Sequence, residues 1–318
     1  MIKYIIRRLI LMIPVLLGIT IVVFTLLYIT PGDPARTILG QEASDETVAQ
    51  LRKELGLDDP YFVQLYRYIK NVVTKFDFGL SYRTHQPIIK EILSRYPTTL
   101  KLAGLSIITG GFLGVVAGVI SAVRQYSLLD KIATIIALFG VTTPTYWLAL
   151  MLIILFSIKL KLLPASGSYG YQYWIMPTIA LALYESGMIM RMTRSSMLDV
   201  IRQDYIRTAR AKGQKESIVI MKHAFRNALI PIVTIIGLEF TTLLAGAILT
   251  ESVFALPGMG KYIVDSISSR DYPAVQGTVL FIGLICIVVM LIVDIIYGFI
   301  DPKIMSIYSN EKKRANLK

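Results

Sequence analysis

The chain has 318 residues, of which 54% are hydrophobic and only 17% charged, and its mean hydropathy is +0.61. That balance lies outside the range of soluble domains and belongs to a polytopic membrane protein, so length is counted in spans. A net charge of +12 is then no sign of nucleic acid, because basic residues in an apolar chain are distributed by membrane orientation. One cysteine, Cys286, and two distant histidines, His85 and His223, supply neither a disulfide nor a metal-binding set.

Lys3, Arg7 and Arg8 precede an apolar run, Leu9–Ile29, of 21 residues. It is long enough to cross a bilayer and lacks an A-x-A cleavage signal, so it reads as a retained first helix. The following loop, 30–97, reads as helical rather than disordered. Ser44 or Asp45 caps a helix with Val48, Leu51 and Leu55 on its apolar face and Gly56 as its stop. Tyr61, Leu65, Ile69, Val72, Val73 and Phe76 continue at helical spacing. Five further apolar runs follow at 98–123, 132–157, 175–190, 229–251 and 276–300, the fourth being the shortest. The expected fold is all-α with six transmembrane helices. Residues 1–97 form a first span with its loop, 98–303 the core, and 304–318 a basic tail.

Basic residues set the orientation. The N-terminus carries three and the tail five, and the 191–228 loop has nine against three acids. The 158–174 loop has only Lys159 and Lys161, and 252–275 only Lys261 and Arg270. Both termini and the 191–228 loop are therefore expected on the cytoplasmic side, and 30–97 outside.

The 191–228 loop has a design of its own. Met197, Ile201, Tyr205 and Ala209 recur at i+4 and define one helical face. Gly213 follows at a natural helix end, and Ser217 is placed to cap a second helix bearing Ile218, Met221 and Phe225. Small residues around the bend, Thr208, Ala209, Ala211 and Gly213, leave room for another surface. A basic lipid-facing segment or a solvated linker competes with this docking reading.

The segment resembles the cytoplasmic motif of ABC importer permeases, E-A-A-x3-G-x9-I-x-L-P. Arg207, Thr208 and Ala209 fall on the E-A-A positions and Gly213 on the glycine. The I-x-L-P positions hold His223, Ala224, Phe225 and Arg226, with the proline delayed to Pro231. That variant is similar to the dipeptide/oligopeptide (peptide/nickel) branch, B-type subunit. FTLLYITPGDPA, FDFGLSYRTHQPIIKEILSRYPTTLKL and ILTESVFALPGMGKYIVDSISSRDYPAVQG agree with it, so the likeness runs through nearly the whole chain. The resemblance implies a type I importer permease on an ATPase-coupling elbow of Arg207, Thr208, Ala209, Ala211, Lys212, Gly213 and Glu216. The implied partners are a related C-type permease, two cytoplasmic ATPases that bind the ATP and Mg2+, and an extracytoplasmic solute-binding protein in a bacterial or archaeal cytoplasmic membrane. Peptides, glutathione, nickel and metallophore complexes are all carried by relatives.

No nucleotide site is expected in this chain. In ALPGMGKY, Ala255 replaces the first glycine of the phosphate loop and Tyr262 its Ser or Thr. No cofactor, metal site or catalytic set is expected either. Glu239 and Glu185, ionisable residues within spans, are candidates for the translocation path. Glu251, Lys101 and Asp294 lie near span ends, where reaching the interface explains them. Pro144 is expected to kink the third span, either as a gate hinge or as static packing. Gly110, Gly114 and Gly118 permit a close helix crossing. Pro257, Gly258, Gly260 and Asp271 are candidates for an outer gate or receptor contact. A reading from another class, an autonomous ion-coupled transporter using Glu239 or Glu185, is weakened by the absence of an inverted repeat. A non-transporting scaffold is the other alternative.

Overall fold

The computed structural model describes residues 2–40 and 42–300; the basic tail lies outside them. The chain is all-α, and the described residues contain only one isolated bridge, Leu80 to Pro87. The described residues divide into two compact units, one built from 2–5, Leu100–Leu256 and 288–300, the other from Ile6–Thr99 and Pro257–Ile287.

The second unit takes α1 (Ile2–Ile29) from Ile6 on and three short helices, α2 (Pro34–Leu39), α3 (Asp45–Leu55) and α4 (Tyr61–Lys75). Local chemistry explains their limits. The Ser44 hydroxyl accepts from the Thr47 amide at 3.2 Å, and Gly56 closes α3 at φ 65°. Phe76 ends α4 in the same left-handed conformation. Tyr61 packs edge-on against Phe24 and Tyr28 of α1 and shares a 2.7 Å hydrogen bond with Thr25. Thus the amphipathic α4 is held on the first span.

The first unit takes the 100–123 part of α5 (Ile88–Val123), then α6 (Leu128–Thr142), α7 (Thr145–Leu152) and α8 (Gln172–Ile201). A π-helical turn, Ile153–Lys159, extends α7. Next come α9 (Asp204–Ala211) and α10 (Glu216–Ile218), and a second π-helical turn, Val219–Phe225, runs into α11 (Arg226–Gly246). The chain continues through α12 (Ile248–Val253), α13 (Met259–Ser268) and α14 (Tyr272–Ile300). α13 and the first turns of α14 belong to the second unit.

Among the described residues, four helices are long and apolar enough to span, within α1, α5, Glu216–Ala245 and α14. They take in most of four of the six expected runs. A further run, 132–157, is bent where a kink was expected, far more sharply than a kink requires: α6 and α7 meet at 100° across Thr143 and Pro144, as a broken span or a re-entrant pair. Proline lacks the amide that would continue α6, so the helix stops there. The sixth, 175–190, lies within the 30-residue α8. Its apolar run looked short because α8 is a core helix whose packed faces also bury polar residues, Glu185, Thr193 and Ser196.

Glycines make that core possible. A Cβ on Gly110 would lie 2.8 Å from the Ala182 carbonyl, and one on Gly114 2.7 Å from that of Ser186. On the opposite partner, a Cβ on Gly140 would meet the Leu183 carbonyl at 2.5 Å, and one on Gly187 that of Ala137 at 2.6 Å. The Gly110–Gly118 ladder therefore packs inside this chain, with α8 gripped between α5 and α6.

Candidate functional site: the cytoplasmic elbow and the buried carboxylates

The expected helix through Met197–Ala209 is broken. α8 stops at Ile201, Arg202 and Gln203 intervene, and α9 restarts at Asp204. The restart shifts the face by one residue. Ile206 is fully buried while Tyr205 is 44% exposed. Ile206 and Ala209 join Ala122, Met197, Val219 and Ile232 in one apolar cluster. Ala209 is thus committed to this chain's own core. Arg207, Thr208, Ala211, Lys212, Gly213 and Glu216 are exposed.

Gly213 turns the elbow at φ 74°, and a Cβ added there would have no neighbour within 4 Å. It is there for backbone conformation, not for close packing. Ser217 is not the cap of the second helix, which starts at Glu216 after Lys215 and runs unbroken into α11. Because the π-helical turn changes the angular spacing, Val219, Ile220 and Ala224 are buried, while Ile218 and Met221 are exposed. Three side-chain links lock the bend. Arg210 pairs with Glu216 at 2.7 Å, Gln214 with His223 at 2.7 Å, and Asn227 donates to the Tyr205 hydroxyl at 3.0 Å. The Glu216 carboxylate holds the Arg210 pKa above its ordinary value. Sequence spacing gave no sign of these links, since two of them join residues on opposite sides of the Gly213 turn and the third ties the turn itself to the following helix.

Sequence reasoning missed one network altogether. Asp130 in the first turn of α6 is buried, and both its oxygens receive nitrogens of Arg194 on α8 at 2.9 Å. The same carboxylate accepts the Tyr126 amide at 2.9 Å and the Ser121 hydroxyl of α5. The clamp ties three helices together two turns before the elbow.

Glu185 and Glu239 are both buried, on α8 and α11, within electrostatic reach of each other. Oε2 of Glu185 has no hydrogen-bond partner among the described residues. A buried carboxyl oxygen without a partner is costly. Glu251 does not reach an interface as expected. α11 ends at Gly246, and the break before α12 turns Glu251 inward, fully buried.

Of the outer-gate candidates, Pro257, Gly258 and Asp271 line one cleft of about 370 Å³ with Arg83, Arg95 and Lys261. Gly260 does not line it and is buried within α13. Asp271 is buried, accepting the Ser81 hydroxyl and the Tyr82 amide, the latter at 3.0 Å. It anchors the 80–87 turn rather than facing outward. Burial, with Asp271 beside it, pushes the Tyr82 phenol up to about 12.

The family described as binding-protein-dependent transport system inner membrane component matches residues 114–306, and its N-terminal counterpart matches 1–103. The chain belongs to this permease family. Among relatives, the dipeptide transport system permease protein DppB of Alkalihalophilus pseudofirmus is 43% identical, covering 96% of this chain and 99% of the relative. The glutathione transport system permease protein GsiC of Escherichia coli K12 is 41% identical over the same shares. A chain of the inward-facing MetNI methionine ABC transporter matches 68% of this permease and 99% of its own length, with TM-score 0.57 and 17% identity. A chain from an amino acid ABC transporter crystallised with histidines matches 65% and 93%, with TM-score 0.53 and 15% identity. The shared fold is that of ABC importer permeases, and this permease is a multi-pass membrane subunit of a binding-protein-dependent importer.

Proposed function

We propose that this permease forms half of the path for di- or oligopeptides in an ATP-driven importer. It pairs with a related C-type permease and works with two cytoplasmic ATPases and an extracytoplasmic binding protein. The observation that carries the peptide reading is the 43% identity to a dipeptide permease over nearly the full length of both chains. Glutathione, itself a small peptide, is the cargo named for the 41% relative. On this reading the chain crosses a bacterial or archaeal cytoplasmic membrane six times, with both termini inside. Nickel or a metallophore complex is the alternative cargo. ATP and Mg2+ are held by the ATPases.

The proposed mechanism is alternating access driven through the elbow. Arg207, Thr208, Ala211 and Lys212 form its exposed face, and Gly213 its turn. The links Arg210–Glu216 and Asn227–Tyr205 make α9 and the start of the next helix one lever, so force on α9 reaches α11 and Glu239. Ala211→Trp and Arg207→Glu test the docking face, because both positions are exposed and tolerate change in an isolated chain. ATPase co-purification and ATP-dependent uptake should fall at least tenfold while membrane insertion is kept. Unchanged uptake would remove the elbow from the coupling.

A further inference from the structure

The second unit contains two neighbouring cavities that the transport reading does not use. One is a polar cleft of about 400 Å³ at the end of α1, lined by Tyr28, Arg52, Arg67, Tyr68, Asn71 and Tyr272 among others. Its only charged lining residues are the two arginines. Carboxylates hold them in place: Arg52 pairs with Asp33 and Asp58, and Arg67 with Asp59, leaving guanidinium N–H groups uncommitted. The phenol oxygens of Tyr68 and Tyr272 are buried without a partner.

The other is a groove of about 330 Å³ between α1, α4 and α14, lined by Leu16, Leu17, Ile69, Val73, Phe76 and Leu284 among others. Its one polar lining residue, Thr20, spends its hydroxyl on the Leu16 carbonyl at 2.7 Å. Phe78 lines both cavities. A gap too small for a water molecule, lined by Tyr68, Gln276, Thr20 and Leu280, lies between the two cavities. Along α1, the rise from Leu17 in the groove to Tyr28 in the cleft is about 16 Å. One leaflet's hydrocarbon is about 15 Å thick.

We infer that cleft and groove together hold one glycerophospholipid from the leaflet on the α2–α4 side. The phosphate lies against Arg52, Arg67 and the two free phenols, and an acyl chain lies in the groove. The amphipathic α4 divides the site, with Arg67, Tyr68 and Asn71 turned to the head and Ile69, Val72, Val73 and Phe76 to the tail. Guanidinium recognition of phosphate and apolar enclosure of the chain are separate requirements, and each is met where the bilayer places the corresponding part.

The test uses the whole transport complex purified in mild detergent, with retained phospholipids counted by native mass spectrometry. Tyr68→Phe with Tyr272→Phe removes the two phenol oxygens, and Leu17→Trp with Val73→Trp fills the groove. Each double variant should lose one phospholipid per chain. Both double variants should keep the gel-filtration profile and subunit composition of the wild-type complex, which separates lost lipid from lost fold. A wild-type complex without retained phospholipid, a full count in both variants, or a loss confined to one of them overturns the site.

Discussion

Single residues divide into those chosen for backbone conformation, for packing and for charge. Gly213 belongs to the first group: Gly213→Ala meets no neighbour and should cost only the left-handed strain, about 1–2 kcal/mol. Its effect on uptake should be correspondingly mild, as an ATP-dependent transport assay will read. Ala209 belongs to the second. Ala209→Glu would bury a charge in the α5–α8–α9 cluster and reduce folded protein in the membrane rather than report on docking. Asp130 and Arg194 belong to the third. Breaking this largely buried pair by Asp130→Asn or Arg194→Gln should destabilise by roughly 3 kcal/mol, and Asp130→Leu with Arg194→Leu together by less. Thermal unfolding of the detergent-solubilised chain measures the difference, and a double variant as weak as either single one would contradict the pairing account.

Among elements, α8 carries the fold. Its neighbours approach through glycines, so Gly114→Leu, whose added Cβ alone would lie 2.7 Å from the Ser186 carbonyl, should cost at least about 1–3 kcal/mol by overpacking. The same change at Gly104, where a Cβ meets nothing within 4 Å, should be near neutral. Comparing folded yields of the two variants by gel filtration separates packing from helix propensity. Several element boundaries were legible beforehand. Ser44, Gly56 and Gly213 act within one turn of themselves, and caps are local chemistry. A kink at Pro144 was also visible, but its 100° size was not, because the direction taken after a helix ends depends on what α7 packs against. The phase error at Tyr205 has a similar origin. A two-residue interruption at Arg202 and Gln203 rotates every later residue, and no strong breaker marks it.

At the scale of the molecule, function depends on chains other than this one. The permease reconstituted alone should show no peptide uptake under an imposed proton or sodium gradient, whereas the full complex with ATP should. Gradient-driven uptake by the lone chain would instead make Glu185 and Glu239 a coupling site. The apolar runs, the amphipathic α4 and the glycine elbow followed from sequence alone, because hydropathy, helical periodicity and capping are properties of residues within a few positions of each other. Only the tertiary structure decided that α8 is a core helix, that Glu251 and Asp130 turn inward, and that Ala209 packs while Ala211 stays exposed. Those outcomes rest on contacts between segments tens of residues apart, and burial is a property of the packed neighbours rather than of the residue itself.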